Sequence, residues 1–180
     1  IAFPLSTSCL ALALLIGIGG SSAFNLAMGS GDDKKAVHLL GNAVVLLAGS
    51  GLFLSIITFL FLKPLLLFFG SPKAVLPFAI EYTKVTAFGF PFLLLGTGGG
   101  HLIRADGRPR MTMVCNLIGA VINTVLDALF VFGLNLGMTG AALATVIGQM
   151  VSGIMAIICL MHGKTVSIHK EHLFVKWENV

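Results

Sequence analysis

Asp127 is the one acid that lies well inside an apolar stretch of this sequence, MTMVCNLIGAVINTVLDALFVFGL from Met111 to Leu134. Asn123 stands four residues before it and Asn116 eleven before it. At about 100° per residue, those offsets place all three polar side chains on one stripe of a helix. At about 1.5 Å per residue the stretch also crosses a bilayer core of roughly 30 Å. A lone carboxylate in mid-bilayer costs about 2.5–3.5 kcal/mol on insertion scales, so the stripe is expected to face other helices or a water-filled cavity. An acid withdrawn from water loses hydration when it ionises, and one such site can exchange a proton for a cation. If proton and cation compete there, inward proton flow can drive outward cation movement. Asn123 has an amide that can donate to the carboxylate.

The elements that must position this stripe follow from composition. Hydrophobic residues make up 57% of the 180 and charged residues 10%; soluble domains carry about a quarter charged residues, so this is an integral membrane protein. The net charge of +4 lies in loops between apolar segments, with no basic run interleaved with aromatics, and gives no sign of nucleic-acid binding. The three cysteines, Cys9, Cys115 and Cys159, fall inside predicted spans without metal-ligand spacing and read as small buried apolar residues. A chain opening at Ile1 inside an apolar run and closing at Val180 after a basic stretch reads as part of a longer protein.

Five apolar segments are expected to cross the membrane: Pro4–Ala27, Val37–Leu62, Val75–Ile103, Met111–Leu134 and Gly140–Met161. Small residues in the first (Gly17, Gly19, Gly20, Ser21, Ser22) suit close helix packing. Asp32 or Asp33 suits the N-terminus of the second. Pro64 either kinks a longer helix or ends one, and Pro91 is expected to kink the third. Glu81 and Lys84 are spaced to pair across one turn. The glycines before His101 lack the lysine and the preceding strand of a phosphate cradle, and favour close packing. Gln149, one turn after Thr145, lies on the same face of the fifth segment. The tail from His162 to Val180 is basic, with Phe174 and Trp177 among lysines, and reads as a surface-lying linker; its histidines at 162, 169 and 172 lack a completing acid or Cys for a metal. Eight of the 11 Lys and Arg fall on the side of Lys34, Arg104 and the tail, which places that side in the cytoplasm and Asp127 in the outer half of its helix.

Three pieces carry a family resemblance: the GSGDDKKA loop after a glycine-rich helix, HLIRADGRPR, and NTVLDALFVFGLNLGMTGAALATVIGQ. Together they resemble helices two to six of a multidrug and toxic compound extrusion (MATE) transporter, along essentially the whole chain. The resemblance implies an all-α membrane protein whose five helices form most of one six-helix lobe of a twelve-helix transporter. Residues 1–161 would then belong to the N-terminal lobe, and 162–180 would be a cytoplasmic linker toward the second lobe. Helix one and that second lobe would be further partners. The implied activity is antiport of cationic, often aromatic, compounds against protons or sodium, at the cell membrane and without a cofactor. The implied coupling group is Asp127 with Asn123 one turn earlier and Thr145 on the next helix; Asn116 and Gln149 would line the cavity. Many relatives have Asn before the Arg loop where this chain has Gly100-His101.

Two other functions compete. A flippase for lipid-linked saccharides needs several cationic residues in its cavity to hold pyrophosphate, and the spans have almost none. An intramembrane enzyme needs a second catalytic group beside Asp127, and no span supplies an obvious one.

Overall fold

A computed structural model describes residues 3–70 and 75–163. The Ser71-Pro72 break and the tail with Phe174, Trp177, His169 and His172 lie outside the described residues. The helices are α1 (Phe3–Gly29), α2 (Asp33–Leu60), α3 (Leu62–Phe68), α4 (Leu76–Ala105), α5 (Pro109–Ala128) and α6 (Gly137–Met161), with a π-helical turn at Leu129–Gly133 after α5. Five of them, all but α3, are long and apolar enough to cross a membrane.

The most buried span is α4, packed against α1, α2, α5 and α6. It can touch so many neighbours because its glycines remove the side chains that would hold them off. Gly98 meets the backbone of α1 at Gly17 and the side chain of Leu47, and Gly99 faces Ala156. Across α1 and α2, Gly20 faces Ala43, whereas Gly19 faces open space. The small-residue surface of α1 is therefore used at two of its three glycines. Phe24, Leu40, Leu47, Leu94, Leu102 and Ile103 fill the core around these contacts. All three cysteines are free and buried, with Cys115 and Cys159 in sulfur–sulfur contact at 3.8 Å.

Proline shapes the bundle in two places. At Pro91, α4 continues as one helix, and Gly51 of α2 sits against the proline Cα. A proline has no N–H to give to the carbonyl four residues back, which here is Ala87. Ser55 of α2 donates its hydroxyl to that carbonyl at 2.9 Å. The bond lost within one helix is thus replaced by one between helices, both ends buried. At Pro64 the boundary reading is the nearer one, with α2 ending at Leu60 rather than the expected Leu62. The break comes earlier, at Phe61 (φ −113°, ψ 27°), and Pro64 sits in the first turn of α3, where the missing N–H has no intrahelical partner to lose.

Other local expectations divide. Asp32 caps α2 by accepting from the Lys35 backbone N–H at 3.0 Å. Glu81 takes a hydrogen bond from the Thr139 hydroxyl of α6 instead of pairing with Lys84. The span from Met111 is not uniform α-helix either. It widens after Ala128, where the Leu134 N–H reaches Leu129 O at 3.0 Å, the five-residue spacing of a π turn. Gly140 of α6 packs so closely on Phe130 of this turn that a Cβ there would lie 3.0 Å from the phenyl Cβ.

Candidate functional site

The polar stripe of α5 faces α6 across a contact made of glycines. A Cβ on Gly148 would lie 2.8 Å from Gly119 O and from Asn123 Cβ, and one on Gly119 would lie 2.9 Å from Gly148 O. Backbone against backbone at this distance brings Asn123 within reach of Thr145. The Asn123 amide donates to Thr145 Oγ1 at 3.5 Å, and Thr145 donates onward to Ala141 O at 2.9 Å. Two turns toward the other end, Ser152 donates to Asn116 Oδ1 at 3.4 Å.

These groups surround a cavity of about 400 Å³. From α5 it receives Asn116, Gly119, Ala120 and Asn123, and from α6 Thr145, Gly148, Gln149 and Ser152. The third wall is α4, through Thr97, His101 and Arg104. Gln149 Oε1 is buried against Gly89 of α4 and has no hydrogen-bond partner among the described residues, an arrangement that costs free energy unless the cavity supplies a donor.

Four of the five residues singled out in the sequence thus meet around one cavity: Asn116, Asn123, Thr145 and Gln149. Asp127 does not line it. It sits one turn beyond Asn123 on the same stripe, exposed, immediately before the π turn. The Asn123 amide is directed across the interface to Thr145.

The wall supplied by α4 was missed. Its signal was present, because Thr97, His101 and Arg104 recur at four and three residues, on one helix face. It was hidden by the glycine cluster beside it, which draws attention to packing alone.

The glycine contact is testable by itself. Gly148→Ala should destabilise the full-length protein by about 1–3 kcal/mol, since the methyl meets backbone that cannot rotate away. The measurement is the thermal midpoint in detergent, and an unchanged midpoint would show that the two helices are free to part.

Comparison with known proteins bears on what this arrangement belongs to. Across 170 residues the chain is 27% identical to the multidrug export protein MepA of Staphylococcus haemolyticus, covering 94% of this chain and 38% of that protein. Across 154 residues it is 30% identical to an FAD transporter of Shewanella oneidensis, covering 83% of this chain and 34% of that one. A crystal structure of MATE in the bent conformation superposes with a TM-score of 0.91 at 26% identity, over 99% of this chain and 40% of that chain. This sequence therefore spans well under half the length of the proteins it matches. The sequence model of MatE matches residues 1–129, and with the all-helical fold and five apolar spans this establishes that the chain belongs to the MatE family of multi-pass membrane transporters.

Proposed function

We propose that this chain works in a secondary active exporter that moves cationic or aromatic organic compounds outward in exchange for protons or sodium ions. The observation that carries the reading is the polar stripe on α5, of which Asn116 and Asn123 meet Thr145 and Gln149 of α6 around a cavity while Asp127 lies one turn beyond. Asp127 is the coupling group in this reading: its carboxylate takes the proton or the metal cation, and Asn123 and Thr145 supply polar contacts beside it. Asn116 and Gln149 line the path of the substrate. Relatives described as a multidrug export protein and as an FAD transporter support transport of organic molecules as the common activity.

Residues 1–161 form most of one six-helix lobe in this proposal, and 162–180 lead from it as a basic cytoplasmic linker. Helix one and a second lobe complete the pair of bundles that alternating access requires. Dye accumulation by inverted membrane vesicles containing the full-length protein tests the function. Uptake should rise when a proton or sodium gradient is imposed and collapse when the gradient is dissipated. Transport indifferent to both gradients would end the antiport reading.

The same proposal orients the helices, with the Asp32–Lys35 and Arg104–Arg110 loops in the cytoplasm and Leu134–Met138 outside. In a Cys-free background, an impermeant thiol reagent applied to intact cells should label Asn135→Cys and spare Lys34→Cys. The opposite pattern would invert the orientation.

A further inference from the structure

The two arginines that bracket the α4–α5 loop are used in opposite ways. Arg108 is fully engaged: its guanidinium donates to Asp106 Oδ2 at 2.8 Å, to Cys159 O at 2.6 Å and to His162 O at 3.0 Å. The Arg104 side chain makes no hydrogen bond or ion pair with any described residue, and it lines the cavity together with His101, one turn earlier on α4. Among the described residues, no carboxylate lines this cavity. Asn116 stands nearby, and because its Oδ1 accepts from Ser152, its amide nitrogen is left to donate. A cavity wall with a guanidinium, an imidazole and an amide nitrogen, and without an acid, presents donors and positive charge to whatever enters.

We propose that His101 and Arg104 form an anion-recognising subsite at the α4–α5 end of the cavity, which takes a carboxylate or phosphate group. Resting on the reading of the cavity as a transport path, this adds a substrate determinant to it: an acidic group on the transported compound. The guanidinium fork matches the two oxygens of a carboxylate or phosphate, and an ionised donor makes such hydrogen bonds roughly twice as strong as neutral ones. The imidazole adds one N–H in its neutral form and two when protonated. A purely cationic compound meets like charge at this end. A compound that carries an acid as well as a cationic aromatic body gains a contact here that the cation alone lacks. The same anion chemistry is offered by the phosphate headgroup of an acidic lipid, which the test separates from a solute.

The probes are a rhodamine with a free carboxylate and its methyl ester, which share one aromatic cation and differ in the acid alone. Full-length transporter in phosphatidylcholine bilayers should bind the free acid more tightly than the ester, read by fluorescence anisotropy. Arg104→Gln should weaken the free acid by about ten-fold, the loss of one charged hydrogen bond, and leave the ester unchanged. Arg104→Lys should retain part of the difference, and His101→Gln should remove a smaller share of it. Addition of phosphatidylglycerol assigns the occupant. Free-acid binding that falls in the wild type but not in Arg104→Gln identifies a lipid headgroup in the subsite, and binding that is unaffected identifies a solute. Equal binding of both dyes, or an equal loss of both in Arg104→Gln, would overturn the subsite. Gradient-driven uptake is scored separately, so that selective binding without uptake removes the exporter reading and leaves the subsite standing.

Discussion

Asp127→Asn should reach the membrane at normal levels and lose gradient-driven export, leaving no more transport than the wild type shows with its gradient collapsed. The substitution changes little in shape and keeps hydrogen-bonding capacity, but it removes both the charge and the titration. A gradient drives a conformational cycle only through a ligand that binds the two states of the carrier with different affinity. An amide has no proton to exchange and no charge to hold a metal cation, so that differential vanishes. Asp127→Glu still titrates and should keep part of the activity, with the added methylene displacing the group. Asn123→Ala should be milder, because it removes a polar neighbour and leaves the carboxylate. The measurement is the initial rate of dye uptake by inverted vesicles at matched protein level, with and without the gradient. A structural acid behaves differently: asparagine would serve as well in a hydrogen-bonding strut. Wild-type rates in Asp127→Asn would therefore remove the coupling role.

The position of Asp127 sharpens this expectation. It lies on the stripe with Asn116 and Asn123, one turn past the cavity and at the last α-helical turn before the backbone widens. Helices with π turns often carry functional residues, because the wider turn frees a carbonyl and re-aims the side chains beside it. The turn is pinned from the other side by Gly140, whose lack of a side chain lets α6 lie against Phe130.

That stripe was legible in the sequence because helical periodicity is strict over four and seven residues, and an acid in an apolar run has few neighbours to be confused with. The five spans were legible for the same reason, and so was the Asp32 cap, which depends on local backbone geometry. What escaped were features set by contacts between helices. Nothing in the local pattern around Ser55 says that its hydroxyl covers the carbonyl released by Pro91. Glu81 was assigned to Lys84 by spacing, yet the nearer partner in space is Thr139, from a helix far along the chain. The π turn was invisible because an apolar run has the same composition whether it hydrogen-bonds at four residues or five. The end of α2 was placed two residues late, at Leu62 instead of Leu60, since the helix ends where the chain prepares for the proline ring. The α4 wall of the cavity was missed because polarity there is sparse and each residue has an ordinary explanation at a helix end.

The largest effect on stability is expected at the α4–α5 loop, where Arg108→Ala should lower the stability of the full-length protein by about 3–5 kcal/mol. The size follows from what the side chain leaves behind. Its ion-pair partner Asp106 is 1% exposed at the side chain, and Arg108 itself 15%. Removal of the guanidinium takes from a buried carboxylate its partner at Oδ2, the costly direction in which to break such a pair. It also uncovers Cys159 O and His162 O at the C-terminal end of α6, where carbonyls have no partner within the helix and a cation complements the helix dipole. The side chain therefore fastens the loop after α4 to the end of α6 by two bonds, and the Asp106 bond holds the guanidinium within the loop. Arg108→Lys keeps the charge but replaces a planar fork with a single ammonium, and should fall between the wild type and Arg108→Ala. Asp106→Asn should cost less than Arg108→Ala, because the guanidinium keeps its two carbonyl contacts. In the double variant Asp106→Asn/Arg108→Gln both members of the ion pair are neutral. Its midpoint should recover part of the loss, and the shortfall that remains measures the capping of α6. Thermal midpoints in detergent decide between these terms. A double variant no more stable than Arg108→Ala would assign the whole effect to the carbonyls of α6 and none to the ion pair.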